Sequence, residues 1–126
     1  MSFQTSEDRI LSYYEVGREA VARTRGRRTY GEHIMQEYAN EIDEAYATVY
    51  QARTFALLYS KADLKRLLDM RRESDARRFG FAHIVRLCNI KNRQARLRMQ
   101  RHCIEQGWTV THLRQELKKS LKSAAN

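Results

Sequence analysis

Apolar residues recur three and four apart along most of the chain, the period at which a helix buries one side. The clearest run is Tyr30 to Tyr59. Ile34, Tyr38 and Ile42 lie four apart, with Met35 and Ala39 on the same face. Asp43-Glu44-Ala45-Tyr46 interrupts the pattern, and a second stripe follows with Val49, Ala52, Phe55 or Ala56, and Tyr59. Two short helices joined by a tight turn are predicted here. They read either as a helix-turn-helix, with Thr48, Gln51, Arg53 and Thr54 on the outer face of its second helix, or as two helices of an ordinary bundle.

The flanking segments follow the same period. A first helix opens at Thr5-Ser6-Glu7-Asp8, a capping residue with acids in the first turn, and carries Ile10, Leu11, Tyr14, Val16 or Gly17, Ala20 and Val21. It fades into the basic link Arg23 to Thr29, which reads equally as an arm on phosphates and as a plain loop. Ser60 with Asp63 at the third position starts a fourth helix bearing Leu64, Leu67 and Leu68. Residues 71–78 carry charge without an apolar stripe and predict an exposed junction. Phe81, Ile84, Val85 and Cys88 form a short helical face, and Lys91-Asn92 breaks it. A long helix with Ala95, Met99 and Cys103 inside follows, closed by Gly107. Thr109 or Thr111 then caps a last helix with Val110, Leu113, Leu117 and Leu121.

The chain has no proline and only five glycines, which argues for helices joined by short turns and against a β-sandwich or a disordered chain. The expected fold is all-α. One domain spans residues 1–126 as a compact bundle of about six to seven helices, with the helix-turn-helix unit near 30–59 and a C-terminal helical unit near 79–122. No apolar run is long enough to span a membrane, and the N-terminus has no apolar signal core. A cytoplasmic location is therefore expected, with Cys88 and Cys103 as buried reduced thiols.

Charge changes the picture. Residues 1–50 carry six Arg and nine Asp or Glu, a net −3, whereas residues 51–126 carry eighteen Lys or Arg and six Asp or Glu, a net +12. A concentrated positive field favours a polyanion. The main expectation is therefore a module that binds double-stranded DNA, and homodimerisation would pair two half-sites. In it, a recognition helix near 47–59 turns Thr48, Gln51, Arg53 and Thr54 to the groove, where Arg pairs with guanine and Gln with adenine. Arg25, Arg27 and Arg28 hold the phosphate backbone, and Arg93, Arg96, Arg98 and Arg101 form a second phosphate-binding face. The rival is a protein-interaction module in which the acidic 32–44 helix and the leucine-rich last helix meet a protein partner. RNA remains open as a ligand, although few aromatics stand in basic context.

Chemistry for an enzyme is missing. His33 and Glu37 lie four apart, but a zinc site needs three or four ligands. His83 is expected to anchor a helix by hydrogen bonding, and Trp108 to pack on the long helix and donate from its indole nitrogen. Glu116-Leu117-Lys118 reads E-x-K but sits in a helical stripe, and no glycine-rich phosphate loop is present. The chain is read as a non-enzyme without cofactor or metal.

Several short motifs resemble a known family. Tyr13-Tyr14-Glu15-Val16-Gly17-Arg18 resembles the "YW-x-IG-x-x-I" opening of the helical N-terminal domain of YhcG-type proteins, which precedes a PD-(D/E)xK nuclease domain. Tyr30-Gly31 is similar to its "YG", and Phe81-x-His83-x-x-x-Leu87 to its "W-x-H-x-x-x-L", with Phe81 in place of Trp. Arg96 and Gly107-Trp108-Thr109-Val110-x-x-Leu113 resemble its "R…W-S-V-R-x-L" ending, with Thr111 where that family often has Arg. The ending is also similar to the helical module of ParB-like DNA-binding proteins. Both resemblances imply a helical DNA-binding module, and the first implies the targeting part of a nuclease-associated protein. The nuclease part has no counterpart in these residues.

Overall fold

A computed structural model describes residues 5–26 and 31–125, with side chains described as far as residue 120. Arg27, Arg28 and Tyr30, and the side chain of Leu121, lie outside the described residues. Seven helices are found in chain order among the described residues: α1 (Ser6–Thr24), α2 (Gly31–Glu41), α3 (Tyr46–Leu58), α4 (Lys61–Glu73), α5 (Phe81–Leu87), α6 (Arg93–Gln106) and α7 (Val110–Ala125). No strand occurs among them.

The helix ends follow their capping chemistry. Thr5 Oγ1 accepts from the Asp8 backbone N–H at 3.0 Å, and Ser60 Oγ accepts from that of Asp63 at 3.0 Å. Thr109, rather than Thr111, caps α7 by accepting from the His112 N–H at 3.1 Å. Gly107 takes the left-handed conformation (φ 64°) that closes α6. Asn92, anticipated only as a break, accepts from the Ala95 N–H at 2.9 Å and so starts α6.

The core is built around α1 and α3. Gly17 lets their backbones approach so closely that an added Cβ would lie 2.0 Å from the Ala52 carbonyl oxygen. Phe55 sits at the centre, edge-on to Tyr14 (5.2 Å) and to Tyr59 (5.1 Å), and 6.1 Å from Phe81. Such pairs add about 0.5–1.5 kcal/mol each beyond their buried area. Helix α5 packs against α1, α3, α6 and α7 and joins the two ends of the chain into one core.

Two parts of the bundle differ from the sequence pattern. The junction expected over 71–78 begins only after α4 ends at Glu73, and Arg71 is buried rather than exposed. Its guanidinium donates to the carbonyls of Phe79 (2.8 Å) and Arg77 (3.1 Å) and to the Ser6 hydroxyl. The second difference concerns the recognition helix. Helices α2 and α3 are consecutive and joined by residues 42–45, but α3 lies among α1, α2 and α5 and does not stand clear of the bundle. Its most exposed large side chains are Tyr50 (51%) and Leu57 (55%), not a polar row.

Asp63 supplies a stability test. It is 4% exposed and takes a two-point contact from Arg93, whose Nε and terminal nitrogen lie 3.1 and 2.6 Å from its oxygens. That hydrogen-bonded pair holds its carboxyl below the usual carboxylate range, against the opposing effect of burial. A depressed native value stabilises the fold above the unfolded pKa and is lost as pH falls through the native one. Asp63→Asn is expected to lower neutral-pH stability by about 1–2 kcal/mol, discounted because Arg93 is half exposed. Thermal melts of both proteins should converge as pH drops below about 4. A gap that stays constant with pH would show that the stabilisation does not come from the ionised carboxylate.

Candidate nucleic-acid interface

The polar residues singled out on α3 divide between its two flanks. Arg53 turns toward the end of α1, where its Nε donates to Thr24 Oγ1 at 3.0 Å, and Thr24 Oγ1 donates to the Ala20 carbonyl at 2.8 Å. Thr48, Gln51 and Thr54 turn the other way and line a groove with α1, α5 and the start of α7. A single DNA groove therefore cannot face all four side chains. The reason is helical geometry. At 100° per residue, Arg53 lies about 160° around the axis from Gln51.

The groove has a volume of about 650 Å³. Its walls hold three cations, Arg9, Arg86 and Lys91, beside Thr48, Tyr50, Gln51, Thr54 and Asn89. No carboxylate lines it among the described residues. Tyr13 stacks on Phe81 at 4.4 Å and 23° to form its floor. Glu44, which accepts from the Tyr13 hydroxyl at 3.3 Å, is not among its walls. Lys91 Nζ donates to the Cys88 carbonyl at 3.2 Å and keeps two further N–H donors. Arg9, Tyr50, Arg86, Asn89 and Lys91 were not singled out from the sequence. They come from separate elements, and only the fold brings them together.

The arginines expected on the α6 surface also separate. Arg98 and Arg101 are exposed and line a shallow face with Gln94, Leu97 and His102. Arg93 is half exposed but engaged with Asp63. Arg96 is not on that face. It is 2% exposed, and its guanidinium donates to the carbonyls of Ile90 (3.0 Å), Lys91 (3.4 Å) and Leu58 (2.9 Å) and lies 5.1 Å from the Tyr59 ring centre. Burial of this kind removes it from any phosphate contact. Arg25 is exposed at the end of α1, and Arg27 and Arg28 lie outside the described residues.

His83 has the anchoring role read for it. It is buried, its Nδ1 accepts from the Gly80 N–H at 3.2 Å, and its Nε2 donates to the Trp108 carbonyl at 2.9 Å. Burial lowers its pKa, so the ring is neutral at pH 7 with its proton on Nε2. Trp108 stacks on His102 of α6 (6.3 Å) and on His112 of α7 (4.6 Å), and its backbone carbonyl rather than its indole meets His83. Cys88 and Cys103 are free and buried, and burial pushes each thiol up to about 11. No group of three His, Cys, Asp or Glu converges as metal ligands among the described residues. No helix among them is long and apolar enough to cross a membrane.

Comparison with curated proteins and with solved structures returns no match. The family model of the DUF1016 N-terminal domain matches residues 3–123, consistent with the resemblance of the Tyr13–Arg18 and Phe81–Leu87 motifs to the N-terminal domain of YhcG-type proteins. Matched over nearly its whole length, the chain belongs to the DUF1016 N-terminal domain family.

Proposed function

We propose that this domain is a DNA-binding module that holds the phosphate backbone through the basic surface of its second half. It does so without a free-standing recognition helix. The observation that carries the reading is a surface positive charge that the protein does not compensate. Within residues 51–126, the carboxylates Asp63, Asp69, Asp75, Glu105 and Glu116 each lie within 4 Å of a cation. Exposed Lys61, Lys65, Arg66, Arg78, Arg98 and Arg114 have no carboxylate within that distance among the described residues. Cations left in water beside so few free acids favour a polyanion. The family resemblance supports a targeting role beside a nuclease, and a homodimer would double the phosphate contacts.

A protein-interaction reading draws on one specific observation, the exposed Leu57 and Tyr50 on α3. The acidic 32–44 segment supports it less. Arg23 already takes Glu41 at 2.6 Å and the Tyr13 hydroxyl takes Glu44.

Anisotropy of a labelled random duplex, titrated with the domain at several salt concentrations, separates the two. Binding is expected to fall linearly on a log–log plot, with a slope of about −0.9 per phosphate contacted. Replacing Lys65 and Arg66 by Gln should weaken binding across sequences and make the slope shallower by about two. No binding to the duplex or to a single strand at low salt would remove this reading in favour of a protein partner.

A further inference from the structure

We propose that the groove between α1, α3, α5 and the start of α7 takes an unpaired nucleotide, with Tyr50 stacking on the base and Arg86 and Lys91 on the flanking phosphates. This rests on the nucleic-acid reading above and specifies the form of the strand. Three observations point to it. The groove's volume of about 650 Å³ lies in the range of ligand pockets and leaves room for a nucleotide. Its charge is of one sign, with Arg9, Arg86 and Lys91 and no carboxylate among the described residues of its walls. Tyr50 stands in that basic wall with half its surface in water, although a large aromatic side chain gains by being covered.

These features are the two parts of a single-strand site: cations that follow the backbone and an aromatic face on which a base stacks whatever its sequence. The Gln51 and Asn89 amides carry donors and acceptors of the kind that meet base edges. Thr54 is already committed, since its hydroxyl donates to the Tyr50 carbonyl at 3.1 Å. A duplex keeps its bases stacked inside the helix, where no ring can slide over Tyr50, so an unpaired nucleotide is the form that fits.

The test is a competition measured by anisotropy. The full chain is bound to a labelled oligothymidylate, then challenged with unlabelled single strand or with a blunt duplex of equal length. The single strand should compete better. Tyr50→Ala should weaken single-strand binding about tenfold and leave duplex binding unchanged, whereas Tyr50→Phe should retain it. Arg86→Gln should weaken single-strand binding and reduce its salt slope by about one. Circular dichroism melts establish that each variant folds, as expected for exposed Tyr50 and half-exposed Arg86. Equal competition by both forms, or an unchanged Tyr50→Ala, overturns the groove assignment while leaving the phosphate-binding reading in place. No binding of either form overturns both.

Discussion

Gly17→Ala is expected to destabilise this domain by about 3 kcal/mol or more, a large part of the stability of an ordinary domain. Two effects oppose one another. Alanine is the better helix former, and in the middle of a free helix the change would gain about 1 kcal/mol. Here the new Cβ would lie 2.0 Å from the carbonyl oxygen of Ala52, 2.6 Å from its carbonyl carbon and 2.9 Å from the Ala56 Cβ. The first two are backbone atoms that no rotamer change can move. The clash is relieved only by separating α1 from α3, which would open the packing of Tyr14 on Phe55. The steric term therefore wins. A fall in melting temperature of about 10 °C or more is expected in a thermal scan. Gly31→Ala is the control, because among the described residues nothing lies within 4 Å of its added Cβ. Equal melting of the two variants would show that α1 and α3 are not held as close as described.

The second large effect is at Arg96. Arg96→Met keeps the bulk of the side chain and removes the donors to Leu58, Ile90 and Lys91. The Leu58 carbonyl is at the C-terminal end of α3, where the helix dipole places partial negative charge, and those of Ile90 and Lys91 lie in the link between α5 and α6. Together with the face of Tyr59 they compensate a cation that is 2% exposed. A loss of about 2–4 kcal/mol in chemical denaturation is expected, since three part-buried carbonyls lose their donors at once. Arg96→Lys should recover only part of it, because one ammonium cannot span carbonyls that a planar guanidinium reaches from two nitrogens. If Arg96→Met is as stable as the natural protein, the cost of burying the charge equals what its hydrogen bonds return.

These two residues also show where sequence reasoning reached and where it stopped. Helix ends were legible at Thr5, Ser60 and Gly107, because a cap is a local device whose partner lies within three or four residues. The helical stripes were legible for the same reason. Arg96 was misplaced on the surface because its partner Leu58 lies 38 residues away and is a backbone carbonyl, which leaves no mark in sequence. A partial signal was present. Arg96 precedes Gln100 by four and Cys103 by seven, and both are buried. Gly17 likewise lies on the apolar stripe between Tyr13 and Ala20, where a glycine marks close helix approach. The groove was only half legible. Thr48, Gln51 and Thr54 were singled out together, but the cations facing them come from α1, from α5 and from the link after it.

Tyr59 gives the domain a property that none of its helices has alone. Its carbonyl accepts from the Tyr14 hydroxyl across 45 residues at 2.8 Å, and its own hydroxyl donates to Gln100 across 41 residues at 2.8 Å. One residue between α3 and α4 thus ties the beginning of the chain to its later half, and burial raises its pKa so that the hydroxyl stays a donor. Neither bond forms by local folding, because each requires a long loop to close first. The first three helices and the last four are therefore expected to share one unfolding transition, and hydrogen exchange that opened α6 well before α1 would show that this tie does not couple them.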